Sequence, residues 1–157
     1  ILPMNAGKPG EPFPFLTTLF NETRATFSPD GRWIGYQTSE TGRPEIYIRP
    51  FPGPGGKFQV TADGGSRPRW RGDGKELFFM RGTDFGIMGA EIKLGNSSVE
   101  VGAIKHYFDF RNITGGGRDL FDVSRDGQRF LIESVPGDEI SAPITLVINW
   151  PGELKQK

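Results

Sequence analysis

The sequence predicts an all-β chain, a β-propeller of about three four-stranded blades, and three observations carry that expectation. A short motif ending in Asp-Gly occurs three times, an alternating apolar stretch follows each copy, and the intervals between copies suit four strands with their turns. The copies are Arg24-Ala-Thr-Phe-Ser-Pro-Asp-Gly31, Arg67-Pro-Arg-Trp-Arg-Gly-Asp-Gly74 and Leu120-Phe-Asp-Val-Ser-Arg-Asp-Gly127. Behind them come Trp33-Ile-Gly-Tyr-Gln37, Glu76-Leu-Phe-Phe-Met80 and Arg129-Phe-Leu-Ile-Glu133, in which Ile34, Leu77 and Phe130 share one register and Tyr36, Phe79 and Ile132 the next. Period-two alternation after Asp-Gly predicts a β-hairpin, with Asp30, Asp73 and Asp126 bonding their own backbone and Gly31, Gly74 and Gly127 supplying positive φ.

The chain divides accordingly. Residues 1–12 read as irregular. Phe13 to Thr18 reads as an outer strand without companions, because Phe15 precedes Phe27 by the same interval as Phe58 precedes Trp70. The first blade covers 24–61, with later strands at Glu45 to Arg49 and Lys57 to Thr61; the second covers 67–108, with later strands at Gly86 to Lys93 and Ile104 to Phe108. The third covers 119–149, with a strand at Ile144 to Asn149 and no recognisable fourth, and 151–157 is a tail. Asp30 to Asp73 spans 43 residues and Asp73 to Asp126 spans 53. The surplus is expected in loops at Asn96 to Ser98 and Thr114 to Gly117. The orphan strand and the vacancy in the last blade complement each other, so closure in cis, closure as a six-bladed homodimer, or membership of a larger propeller are all open.

Composition narrows the function classes. With 23 Gly and 13 Pro the chain stops just short of low complexity, and 12% aromatic residues oppose disorder. Nineteen basic residues balance nineteen acidic ones, so no global field exists for nucleic acid. The absence of cysteine removes thiolate sites and a cysteine nucleophile. No apolar run approaches the roughly 20 residues of a membrane span, so direct membrane insertion is not expected. The start at Ile1 rather than Met reads as a piece of a longer precursor.

Phe27-Ser-Pro-Asp-Gly-Arg-Trp-Ile-Gly-Tyr36 with Ser39-Glu-Thr-Gly-Arg-Pro-Glu-Ile-Tyr-Ile-Arg-Pro-Phe51 resembles the repeat of TolB-like, WD-repeat-like β-propellers. Pro52-Gly-Pro-Gly-Gly-Lys57, Pro68-Arg-Trp-Arg71, Asp73-Gly-Lys-Glu-Leu-Phe-Phe79 and Asp126-Gly-Gln-Arg-Phe-Leu131 are similar, as a set, to the propeller following the kinase domain of bacterial serine/threonine kinases. The second and third motifs depart from Ser-Pro-Asp-Gly by Arg71-Gly72 and Arg125. The resemblance implies a non-catalytic protein-interaction or sensing module, usually six-bladed, inside a larger bacterial protein, with a protein or peptide partner, no cofactor and an extracytoplasmic location. A gating propeller of a peptidase and a structural oligomer formed by strand exchange are the alternatives. Asp84-Phe85-Gly86 spells one kinase motif with none of its companions and reads as a turn.

His106 is the single histidine, and no Gly-x-Ser-x-Gly elbow accompanies it, so it reads as a surface imidazole. The recurrent aspartates lack the ligand cluster that calcium needs, and no spacing suits zinc. The best ligand-binding candidates are Arg24, Arg67, Arg69, Trp70, Arg118 and Asp122, on or beside the innermost strands, where guanidinium groups could hold a carboxylate or phosphate. Pairing of these arginines with Asp119, Asp122 or Glu22 is the plainer reading. Phe27, Trp70 and Val123 hold equivalent positions and are expected to pack between blades.

Overall fold

The computed structural model describes residues 1–82, 85–110 and 121–133, together with the backbone of 145–148. Every element among them is a β-strand. β1 (Met4–Asn5) and β2 (Lys8–Pro9) make a small hairpin where an irregular segment was expected. Its two-residue turn has φ of 49° at Ala6 and 82° at Gly7, the left-handed pair that a tight hairpin requires.

The first sheet runs in chain order through β3 (Glu22–Phe27), β4 (Trp33–Thr38), β5 (Glu45–Pro50) and β6 (Phe58–Gln59). The second does the same through β7 (Ser66–Trp70), β8 (Glu76–Met80), β9 (Gly86–Leu94) and β10 (Val99–Asp109). The third has β11 (Phe121–Val123), β12 (Arg129–Ile132) and β13 (Thr145–Ile148). All pairs are antiparallel. Four-stranded meanders stacked in sequence order make the fold β-propeller-like.

Each Asp-Gly turn is built alike. Asp30, Asp73 and Asp126 each accept a hydrogen bond through Oδ1 from the backbone N–H two residues on, at 3.0 Å. The following glycines sit at φ of 70°, 71° and 73°. In turns one and three the Ser28 and Ser124 hydroxyls donate to the same carboxylates, at 2.6 and 2.5 Å. In turn two Arg71 takes the serine's place and grips Asp73 through Nε at 2.8 Å and Nη2 at 2.9 Å. Arg71-Gly72 is therefore a substitution of one turn lock for another.

Alternation along the strands divides the core in two. Leu77 and Phe79 join Trp33, Ile46, Ile48 and Trp70 between sheets one and two. Phe78 and Met80 face the other way and join Phe121, Phe130 and Ile132. A third cluster, Ile34, Tyr36 and Tyr47, lies on the far face of sheet one beneath Phe15, Leu16 and Phe51.

Three expectations change here. Residues 13–18 form no strand, and Pro12 and Pro14 cannot donate to a ladder. The surplus of the second unit does not lie in a loop at 96–98. Ile92, Leu94, Val99 and Val101 continue the apolar alternation into the core, so β9 and β10 extend toward a tight turn. Phe27 is not packed between sheets: it is 48% exposed, with its ring edge-on to Phe51 at 5.1 Å. The loop expected at 114–117 lies outside the described residues.

Candidate functional site on the inner strands

β7 touches β3, β4 and β5 on one side and β11 on the other, so the first strand of each sheet lines a common inner edge. On that edge β3 carries one extra residue between Thr23 and Thr26, and β7 one between Ser66 and Arg69. Both are β-bulges at the same repeat position, and each places an arginine in the left-handed region, Arg24 at φ 54° and Arg67 at φ 55°. For a residue with a Cβ this conformation costs roughly 1–2 kcal/mol. The chain carries that cost twice, where glycine would relieve it. The Arg67 N–H reaches the Gln37 side-chain carbonyl of the neighbouring sheet at 3.4 Å, and its guanidinium lies along Met80.

Arg69, two residues on, points across to the third sheet. Its Nε lies 3.5 Å from the Asp122 carboxylate, and its guanidinium carbon lies 5.9 Å from the Phe121 ring centroid. Trp70 belongs to the core instead. Its indole N–H donates to the Thr26 carbonyl at 3.4 Å, and its ring closes over Gly35, where an added Cβ would meet Nε1 at 3.4 Å. The structure thus brings Arg69 and Asp122 together, sets Arg67 two residues away beside Gln37 and Met80 with Arg24 at the equivalent point of sheet one, and makes Trp70 a packing residue. Arg118 and Asp119 lie outside the described residues.

Two carboxylates escaped sequence reasoning. Glu76, 4% exposed, opens β8 and accepts hydrogen bonds from Arg71 Nη1 at 2.7 Å and the Tyr107 hydroxyl at 2.6 Å. Burial, then the bond to Glu76, pushes the Tyr107 hydroxyl up to about 12. The bond to Asp73 raises Arg71 and lowers Asp73. Glu45 is 1% exposed and accepts from Arg43 Nε at 2.8 Å, from the Gly64 N–H at 3.0 Å and from the Thr61 hydroxyl. Both serve as struts: a buried charge persists only when its lone pairs are met. Glu76 could have been suspected, because a charged residue heads an otherwise unbroken apolar run. Glu45 looked like an ordinary strand-opening residue.

Glu76, Arg71 and Tyr107 floor an open cleft of about 930 Å³ on the Asp-Gly-turn face, rimmed by Arg32, Lys75, Lys105 and Arg125. His106, on the exposed outer strand β10, bonds Asp109 through Nε2 at 2.8 Å. Among the described residues no three metal-ligating side chains converge, and no helix is long and apolar enough to cross a membrane.

Fold and inner edge together define an all-β, β-propeller-like module. No protein-family model matches the chain, and no curated protein matches it. Among solved structures the chain is similar to a proposed 6-phosphogluconolactonase from Bacteroides uniformis, with 18% identity and a TM-score of 0.55 over 85% of this chain and 40% of that one. TolB from Acinetobacter baumannii aligns at 18% identity and a TM-score of 0.44 over 85% of this chain and 42% of that one. The chain spans about two fifths of the length of either. The first likeness corrects one expectation. A fold shared with a proposed lactonase gives no ground for ruling catalysis out, so the sequence-based reading of this chain as non-catalytic is withdrawn.

Proposed function

We propose that the chain is a protein-interaction or sensing module whose inner edge grips an anionic group, carboxylate or phosphate, on a protein or peptide partner. One observation carries this reading: Arg24 and Arg67 occupy the same repeat position, each in left-handed backbone at a bulge. Strain of that kind gathers where a side chain must be aimed, and guanidinium forks match planar anions. Arg69, held over Phe121 beside Asp122, adds a third cation whose carboxylate partner an incoming anion would replace.

The test exploits the strain. Arg24→Gly and Arg67→Gly each relax the backbone, so both variants are expected to keep or slightly raise their urea midpoint. At the same time they should lose the amide chemical-shift response of residues 23–26, 66, 67, 69 and 70 to inorganic phosphate and to a glutamate-rich peptide. Unchanged responses in both variants would remove the inner edge from consideration.

The larger context is a separate proposal: a bacterial multidomain protein of the receptor-type serine/threonine kinase kind. Its support is the set of turn sequences at 52–57, 68–71, 73–79 and 126–131. The flanking coding sequence tests it, and neighbouring domains lacking a kinase would refute it.

A further inference from the structure

The middle repeat carries a buried ion pair that its turn does not require. Arg71 and Glu76 stand where turn one has Ser28 and Trp33 and turn three has Ser124 and Arg129. Those turns lock their aspartates through a serine hydroxyl. Replacing a buried ion pair by apolar residues of similar volume is often neutral or stabilising, so stability does not account for two matched departures from the repeat. What they supply is a guanidinium held in place. Asp73 and Glu76 fix Arg71 from two sides, and the Tyr107 hydroxyl fixes Glu76 in turn. Gly89 leaves the room: a Cβ there would lie 2.5 Å from Glu76 Oε1 and 2.8 Å from Tyr107 Cε2. These bonds use three of the five Arg71 N–H donors and leave two for a ligand.

The same guanidinium floors the open cleft of about 930 Å³, a volume in the range of small-molecule sites. Six basic and four acidic side chains line it, in a chain of zero net charge. Among the described residues, the Lys75 ammonium and the Arg125 guanidinium in this lining have no ion-pair or hydrogen-bond partner. The rim pairs Arg32–Asp30 and Lys105–Glu91 are exposed, and such pairs contribute little and open readily to a stronger anion. Pro29 and Leu94 add an apolar edge, their Cδ and Cδ1 atoms 3.7 and 3.8 Å from where a Gly74 Cβ would stand.

We infer that this cleft binds a small organic phosphomonoester, its phosphate held by Arg71, Lys75 and Arg125 and its organic group lying along Pro29 and Leu94. The excess of two positive charges in the lining matches a phosphate ester, which is a dianion above about pH 7. A carboxylate would cancel only one. The phosphate oxygens accept from the two remaining Arg71 N–H groups and from both unpartnered cations, all of them charge-assisted bonds. A guanidinium already fixed by two carboxylates loses little freedom on binding. None of these residues belongs to the inner edge, so this inference and the anion-binding proposal can fail separately.

Amide chemical shifts of the unaltered chain, followed during titration with phenyl phosphate, test the site. Saturable shifts are expected at residues 71–76 and 91–94. Lys75→Gln and Arg125→Gln alter exposed side chains and should each raise the Kd about tenfold. Arg71→Ser with Glu76→Gln gives turn two the serine lock of its neighbours, so this variant should keep its fold and lose the response at 71–76. Inorganic phosphate should bind more weakly than phenyl phosphate and leave 91–94 unmoved. An absent or unsaturable response at 71–76, unchanged affinity in Lys75→Gln and Arg125→Gln, or benzoate binding as tightly as phenyl phosphate would each overturn the inference. So would a response confined to residues 23–26, 66, 67, 69 and 70, which would assign the phosphate to the inner edge.

Discussion

Gly72→Ala is the sharpest test of how the second and third sheets interlock. Gly72 donates its N–H to the Arg125 carbonyl at 2.8 Å, tying turn two to turn three. A Cβ there would lie 2.1 Å from Arg125 Cγ and 2.6 Å from the Arg125 carbonyl oxygen. Neither atom is the free end of a flexible side chain, so the two turns must separate. Overpacking costs about 1–3 kcal/mol and a weakened hydrogen bond about 0.5–1.5 kcal/mol, together roughly 1.5–4.5 kcal/mol. For a chain of this size that is a fall in Tm of about 3–18 °C. Gly31→Ala is the control: φ is 70° but nothing lies within 4 Å of the added methyl, so only the left-handed cost of roughly 1–2 kcal/mol applies. Thermal unfolding followed by circular dichroism compares the two. If Gly72→Ala melts within a degree of the parent, or Gly31→Ala is the worse of the pair, the interlock is not what the distances imply.

The pH dependence of stability has a predicted sign at each end. The Ser28 hydroxyl, the Arg71 guanidinium and the Ser124 hydroxyl hold Asp30, Asp73 and Asp126 respectively below the usual carboxylate range. Their contribution is present above the unfolded value, about 3.9, and is lost as pH falls through the lower folded values. Urea midpoints should drop below about pH 4, and Asp73→Asn should flatten that drop; an equal acid slope in the variant would count against the turn locks. At the alkaline end burial lifts Tyr36 and Tyr107 to about 12. Their stabilisation is complete below about pH 10 and fades as pH rises toward 12. Most phenolate absorbance of the three tyrosines should therefore appear only with unfolding, and a normal titration of Tyr107 in the folded protein would contradict its bond to Glu76.

The turns and the central hairpins were legible because one residue type suffices to specify each. Asp before Gly fixes a turn locally, and Ile34, Leu77 and Phe130 announce their strands by alternation. What was not legible depends on neighbours distant in sequence. The bulges at Arg24 and Arg67 follow from how β3 and β7 register with β4 and β8, and nothing in Thr-Arg-Ala or Ser-Arg-Pro signals positive φ. The β9–β10 extension was missed because Val99 and Val101 earn their place only against Trp33 and its companions in the core. Phe27 looked like Trp70 in the repeat, yet burial belongs to whichever residue has a sheet in front of it. The exclusion of catalysis failed for another reason: missing motifs describe known sites, not the chemistry a fold can host.

All five residues of β8, Glu76 through Met80, are buried. Leu77 and Phe79 serve one core while Phe78 and Met80 serve the other, so a single five-residue segment is the partition both halves of the molecule lean on. Neither flanking sheet can lose its packing against this segment without loosening the other side of the same backbone. Opening at one end of the stack should therefore propagate as one cooperative event through β8, and its amides should be among the last to exchange with solvent.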